Sequence, residues 1–472
     1  MNSDEFRKAG YRIIDWVADY RAGLASRPVM AQTQPGEIKA ALPAQPPQHP
    51  EAFDAILDDL DRIVAPGITN WQHPRFFGYF PSSGALSSVL GDYVSTGLAV
   101  VGLAWQSSPA LTEVEEVTTD WLRQMLGLSA AWSGVINDTA STSTLVALLC
   151  ARERTSNYSL GGGGLQAESA ALTVYTSAHS HSSVEKAAVL AGFGKRNVRV
   201  VPHDSVNAMR PESLEQMIKE DLAAGHKPCA IVATCGSTTT TAFDPLRAIA
   251  GVAQAHGVWL HVDAAMAGSG MILPECRPMW DGIEGADSLV VNPHKWLGAV
   301  FDCSLYFVRD PEHLVRVMST NPSYLQSSAD GRVKNYRDWG LPLGRRFRAL
   351  KLWFLIREQG VEGLQVRLRR DMANAQWLEA QVRNEEGWKV LAPVVLQTVC
   401  VRHEPAGLSG EALDKYTLEW AARLNASGEA YVTPAVLDGR WMVRVSIGAE
   451  LTEREHVEQL WSLMQRSVEA GL

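Results

Sequence analysis

Six short runs of apolar and β-branched residues recur along the middle of the chain: LTVYT (172–176), VRVVP (198–202), CAIVATC (229–235), VWLHVDAA (258–265), SLVVN (288–292) and SLYFV (304–308). Helical patterns separate most of them, and strands that alternate with helices predict a mostly parallel, doubly wound α/β sheet. In such a sheet ligands bind beyond the carboxyl ends of the strands. The residues that close each run are therefore the candidates for chemistry.

The flanking segments read differently. Asn2 and Glu5 have capping-box spacing, and Phe6, Ile13, Ile14, Val17 and Tyr20 follow at helical spacing, which predicts an amphipathic opening helix. The Pro-rich passage from Pro28 to Pro50 suits an extended path over a surface. A second helix is expected over 51–64. After Arg345 come two helical patterns, 347–358 and 364–385, then VVLQTVCV, a further helix and WMVRVSIG, which predict a separate small α+β domain. The expected division is a helical N-terminal segment (1–78), a large domain (79–349) and a small C-terminal domain (350–472). Gly161 to Gly164 lacks the spacing of a phosphate loop and reads as a flexible surface loop.

A net charge of −9 gives no basic face for nucleic acid or an anionic membrane. No apolar stretch is long enough to span a bilayer and the first residues carry no apolar signal core, so the expected location is the cytoplasm. The six cysteines have neither CxxC nor paired-ligand spacing and read as buried thiols.

WLHVDAA ends in Asp263 and SLVVNPHK ends in Lys295, so one apolar strand closes on an acid and the next on an amine. A carboxylate at a buried strand end is costly without a cationic partner. A structural ion pair at the sheet edge satisfies that requirement. Both residues holding one pyridoxal phosphate also satisfies it, with Lys295 bound covalently and Asp263 on the pyridine nitrogen, where a carboxylate keeps the ring an electron acceptor.

A phosphate cradle would then be needed, and Thr139, Ala140, Ser141, Thr142 and Ser143 directly precede an apparent helix (145–154) whose start favours an anion. The same stretch also suits an ordinary helix cap. His179 and His181 follow the LTVYT strand; with no third ligand at matched spacing they do not read as a metal site, and a flat imidazole suits stacking on the cofactor ring. Thr238, after CAIVATC, could reach the ring's polar edge or serve only the turn. NWQHPRFFGYFP gathers Trp71, Phe76, Phe77, Tyr79 and Phe80, either as core or as a pocket for an aromatic substrate. Residues 319–339 read as a long loop of the kind that closes over a site, with Tyr324 as its proton donor.

Together these motifs resemble the group II pyridoxal-phosphate decarboxylases, specifically the aromatic L-amino-acid (DOPA) decarboxylases of fold type I. The resemblance runs over nearly the whole chain, through QPGEI, HPRFFGYFP, SPALTEVEE, TASTSTLVALLCAR, HSSVEKA, HVDAAMAGS, NPHKWLGAVFDCS, NPSYL and PLGRRFRALKLWF. It implies an aspartate aminotransferase-like fold and decarboxylation of DOPA, tryptophan, 5-hydroxytryptophan, tyrosine or phenylalanine to the amine. It makes Lys295 the Schiff-base lysine and Asp263 the partner of the pyridine nitrogen, with His181 stacked on the ring beside Thr238 and Ala265. Ala140, Ser141, Asn292 and His294 become phosphate and ring contacts.

The resemblance also implies a homodimer with shared active sites, in which the N-terminal segment packs on the partner. Tyr324 and His181 match the family's decarboxylating members, whereas Phe or Asn at these positions accompanies aldehyde-forming ones; an aldehyde synthase or aminotransferase is the alternative on the same scaffold. Trp71, Tyr79, Phe80, Pro81, Val101 and Leu103 match the side-chain pocket. Leu103 and Met266 stand where animal members often have aromatics, and Ser82 stands where they have Thr. Gly344 matches the small residue that accompanies indole substrates among plant relatives.

Overall fold

The computed structural model of the chain describes residues 1–320 and 331–469, and each of the six apolar runs is a strand. The strands are β1 (Ser133–Asn137), β2 (Leu172–Ser177), β3 (Val198–Val201), β4 (Lys227–Thr234), β5 (Trp259–Asp263), β6 (Ser288–Val291) and β7 (Ser304–Val308). They form one sheet in the order β1-β7-β6-β5-β4-β2-β3. Neighbours from β3 to β6 pair in parallel, whereas β7 runs antiparallel to both β6 and β1. This arrangement brings the ends of β1, β2, β4, β5 and β6 to the same edge as the start of β7.

The helix Ala140–Thr155 leaves the end of β1 and is buried on most sides, through Val146, Ala147, Leu148, Cys150 and Ala151. It shares one core cluster with Val135, Val174 and Val232 of the sheet. A helix that is apolar nearly all round belongs inside a protein. Each fully buried aliphatic side chain contributes about 1.5–3 kcal/mol relative to exposure, so the helix start is fixed against the sheet edge. All six cysteines are buried, and none forms a disulfide among the described residues.

The chain divides into two compact units, one of residues Ser82–Arg370 and Ala392–Leu396 that contains this sheet, the other of Met1–Pro81, Asp371–Leu391 and Gln397–Leu472. The second unit holds an antiparallel sheet of β8 (Trp388–Val390), β9 (Thr398–His403), β10 (Thr433–Leu437) and β11 (Arg440–Ser446), in the order β10-β11-β9-β8. VVLQTVCV and WMVRVSIG supply β9 and β11. A two-residue Asp438–Gly439 turn with positive φ at both positions joins β10 to β11, as the twist of a tight hairpin requires.

The opening helix is Ser3–Ala22, with the Asn2–Glu5 capping box formed, yet none of its residues is buried. Two expectations change in detail. A short helix, Glu37–Ala41, interrupts the Pro-rich passage. Gly161–Gly164 is not wholly irregular, because Leu160–Gly163 forms a helical turn. The two helices expected after Arg345 are both found within Ala349–Asn384, on either side of a break at Gly360. Among the described residues no helix is long and apolar enough to cross a membrane.

Candidate active site

Asp263 closes β5 opposite Thr234 of β4, 5% exposed. Its Oδ1 accepts the Ala265 N–H at 3.0 Å and its carbonyl accepts the Cys235 N–H at 2.9 Å, so both the side chain and the strand end are held. Ala265 forms a small apolar cluster with Ala140 and Val290. Two methyl side chains beside a buried carboxylate leave the floor a flat heteroaromatic ring needs.

Lys295 lies four residues beyond β6, in the turn Pro293–Leu297, where its own φ of −98° and ψ of −113° break the helical path. The turn is tied on both sides. The Lys295 N–H donates to the Asn292 carbonyl at 2.9 Å, and Arg367 donates to the carbonyls of Trp296 and Leu297. Gly298 follows with φ +98°, and a Cβ there would stand 2.8 Å from the Arg367 guanidinium, so glycine is required.

His294 is buried, and its Nδ1 accepts the Cys303 N–H at 2.9 Å. Burial, reinforced by the Lys295 charge, pushes its pKa down to about 3, so the ring is neutral with its proton on Nε2. Asn292 accepts the Ser304 hydroxyl at 2.6 Å, which joins the end of β6 to the start of β7.

His181 follows β2, and its Nδ1 accepts the Ser183 N–H at 3.2 Å with the Ser183 hydroxyl at 2.8 Å. In the neutral ring this leaves the proton on Nε2. Desolvation holds its pKa below the ordinary value; Asp263 opposes that shift and Lys295 adds to it, so the His181 ring lies within the fields of both. Thr238 is half-buried in the turn after β4. Beside it the Ser237 and Thr240 hydroxyls meet at 3.1 Å.

Ala140 and Ser141 open the helix Ala140–Thr155, whose N-cap Thr139 makes no side-chain capping bond. An uncapped helix start presents N–H groups and a partial positive charge, the donor set for a phosphate. Asn137 donates to the Ser143 hydroxyl at 3.1 Å and Asp138 accepts the Thr139 N–H at 2.7 Å, shaping the entry to that turn. A buried carboxylate, a flat apolar floor, a lysine and an uncapped helix start on one sheet edge fit pyridoxal phosphate.

The remaining candidates fall into two groups. Trp71, Tyr79, Phe80 and Pro81 lie in the unit with the antiparallel sheet, where Trp71 stacks on Tyr79 at 5.1 Å and Phe76 on Tyr431 at 5.3 Å. Tyr79 has φ +50° and donates its N–H to the Thr433 hydroxyl at 2.7 Å. The neighbouring Gly78 is required by close approach, since a Cβ would stand 2.4 Å from the Tyr431 ring. Phe76, Phe77 and Phe80 are core, whereas Trp71 and Tyr79 are 39% and 48% exposed, so the segment is both core and displayed aromatic surface. Ser82, Val101, Leu103 and Gly344 lie in the other unit. There the Arg345 carbonyl accepts the Gly102 N–H at 2.7 Å, and a Cβ on Gly344 would meet Val101 at 3.8 Å. Tyr324 lies outside the described residues.

Sequence reasoning passed over several residues. Tyr431 completes the aromatic stack. Asp244 accepts the N–H groups of Thr234 and Met209, both at 2.7 Å, and so fixes the end of β4; burial raises its pKa to about 6. Glu115 is fully buried. Its signal is phase: Thr112, Glu115, Thr119 and Leu122 share one face of the helix Pro109–Met125.

The model of the pyridoxal-dependent decarboxylase conserved domain matches residues 35–404. The phenylacetaldehyde synthase of Arabidopsis thaliana is 39% identical over 98% of this chain and 96% of its own length. Tryptophan decarboxylase 2 of Oryza sativa subsp. japonica is 38% identical over 98% of this chain and 95% of its own. The crystal structure of Oryza sativa TDC with PLP and tryptamine superposes with a TM-score of 0.96 at 37% identity, covering 100% of this chain and 99% of that one. With the family model spanning most of the chain and the relatives aligned nearly end to end, this chain belongs to the pyridoxal-dependent decarboxylase family.

Proposed function

We propose that the protein removes the carboxylate of an aromatic L-amino acid, releasing carbon dioxide and the corresponding aromatic amine. The observation that carries this reading is the arrival of Asp263 at the end of β5, Lys295 just beyond β6 and His181 just beyond β2 at one sheet edge, with Asp263 and Lys295 both acting on the His181 ring. The resemblance to tryptophan decarboxylases in sequence and structure supports the substrate class.

Pyridoxal phosphate, when bound, supplies an electron sink for the pair left on Cα as the carboxylate departs. Lys295 would hold it covalently through its amine. Asp263, pinned by the Ala265 N–H, would pair with the pyridine nitrogen and keep it protonated. His181 offers a neutral ring face, fixed in rotation by Ser183. Ala140 and Ser141 would take the phosphate at the helix start, while Thr238, Ala265, Asn292 and His294 would border the ring. Tyr324 donates the proton that replaces the carboxylate on Cα. Trp71, Tyr79, Phe80, Pro81, Ser82, Val101, Leu103 and Gly344 receive the substrate side chain.

The same reading includes a cytoplasmic homodimer. The exposed Phe6, Tyr11 and Ile14 on the opening helix and Leu86, Leu90, Tyr93 and Leu98 on the helix Leu86–Leu98 support it, as apolar surface that a second copy would cover. Phenylacetaldehyde synthase among the relatives favours one second reading, aldehyde formation on the same scaffold.

The substrate class is tested by kcat/KM across tryptophan, 5-hydroxytryptophan, DOPA, tyrosine, phenylalanine, glutamate and cysteine sulfinate. Turnover confined to the aromatic members is expected. Preference for either acidic substrate would overturn the assignment.

A further inference from the structure

We propose that the buried Glu115–Arg345 pair is a positioning device that jointly sets the cofactor cradle and the turn carrying Gly344. The inference rests on the pyridoxal-phosphate reading above. Among the described residues β1 is an edge strand, so alternate residues present backbone groups with no neighbouring strand there to bind them. At Ile136 two side chains take that strand's place. Glu115 Oε1 accepts the Ile136 N–H at 3.1 Å and Arg345 Nη2 donates to the Ile136 carbonyl at 2.7 Å. The guanidinium closes the loop by binding both Glu115 oxygens, at 3.0 and 2.7 Å.

Each side of this clamp leads to a group assigned above. Asn137 and Asp138 follow Ile136 directly and set the Thr139–Ser143 turn through their bonds to Ser143 and Thr139. On the other side, the Arg345 backbone binds Gly102, between Val101 and Leu103, and Gly344 is its chain neighbour. A cavity of about 420 Å³ is lined by Asn137, Asp138 and Thr142 together with Gly344 and Arg345.

Stability alone does not require such a pair. A buried ion pair is commonly replaceable by apolar side chains of similar volume without loss of stability. Apolar side chains cannot bind both polar groups of one backbone residue, which is what this pair does at Ile136.

The test uses Arg345→Lys, which keeps the charge but loses the fork, and Glu115→Gln, which keeps the shape but loses the charge. Folding is checked by circular dichroism and sedimentation. Two quantities are then read: the Kd of pyridoxal phosphate for the apoenzyme by titration, and the tryptophan-to-DOPA ratio of kcat/KM. In folded variants the Kd is expected to rise on the order of tenfold, the scale for a lost charge-assisted hydrogen bond, and the ratio to shift severalfold alongside it. If a single variant does not fold, Glu115→Leu/Arg345→Met, which buries no unpaired charge, gives the same two readouts. Lower thermal stability with both quantities within twofold of wild type would reduce the pair to a structural tie and overturn the proposal. A change in one quantity without the other would overturn the link. A wild-type enzyme that binds no pyridoxal phosphate or releases no amine would instead contradict the functional reading.

Discussion

Ser304 donates its hydroxyl to Asn292 Oδ1 across 2.6 Å, joining the first residue of β7 to the residue that follows β6, three positions before Lys295. Both residues are buried, so Ser304→Ala would leave the Asn292 oxygen without that donor. The expected cost is about 1–3 kcal/mol of stability, read as a lower denaturant midpoint with an unchanged slope. A midpoint equal to wild type would show that the bond does not hold the strand ends together.

Lys295→Ala removes the covalent anchor and is expected to abolish both turnover and the visible absorbance of the lysine-bound cofactor. Asp263→Asn keeps the size but removes the charge beside the ring nitrogen. It should leave the protein folded while kcat falls roughly 10²–10³-fold, the scale for losing one preorganised electrostatic contact. Near-wild-type kcat in Asp263→Asn would remove Asp263 from the chemistry.

Stability of the apoprotein should fall with pH below about 6.5, the ordinary histidine pKa. Burial lowers His294 to about 3 and His261 to about 4. Below about 6.5 the unfolded chain binds protons at these sites that the native state refuses, and the loss continues until the folded values are reached. Each fully shifted group contributes about 1.4 kcal/mol per pH unit. Asp244, raised to about 6, acts with the opposite sign: the native state takes up its proton first, which offsets about one histidine between about 6 and its unfolded value near 4. His261→Gln should therefore flatten the slope of chemical stability between pH 6.5 and 4.5. An unchanged slope would mean that His261 does not titrate as its burial dictates.

Gly344→Ser adds side chain where a Cβ meets only Val101, at ordinary contact distance, so the fold should hold. Narrowing that wall should lower kcat/KM for tryptophan relative to DOPA, by roughly 10- to 200-fold if the wall contacts the ring. An unchanged ratio would take Gly344 out of side-chain recognition.

What the sequence displayed and what it hid follow from the range of the interactions. Strands β2 and β4 to β7 were legible because buried strands are continuous apolar runs, β3 at the edge showed through its three valines, and Asp263 and Lys295 stood out as charges closing such runs. β1 escaped notice because SGVIN carries only two large apolar residues, and its pairing with β7 is a contact between segments far apart in sequence. β10 was missed although the Asp438–Gly439 dipeptide before WMVRV is the local signature of a tight hairpin. That residues 1–81 share a compact unit with residues 371–391 and 397–472 has no local pattern at all. Glu115, Asp244 and Ser304 were not singled out because their work is to hold backbone or side-chain groups of other segments. Only the fold reveals which groups need holding.

The central claim is decarboxylation to an amine, and the most direct test is the stoichiometry of wild-type turnover on L-tryptophan and L-DOPA under air. The account predicts one amine per carbon dioxide, with no hydrogen peroxide and no net consumption of oxygen. Aldehyde, ammonia and hydrogen peroxide as the principal products, or a keto acid without carbon dioxide, would contradict it.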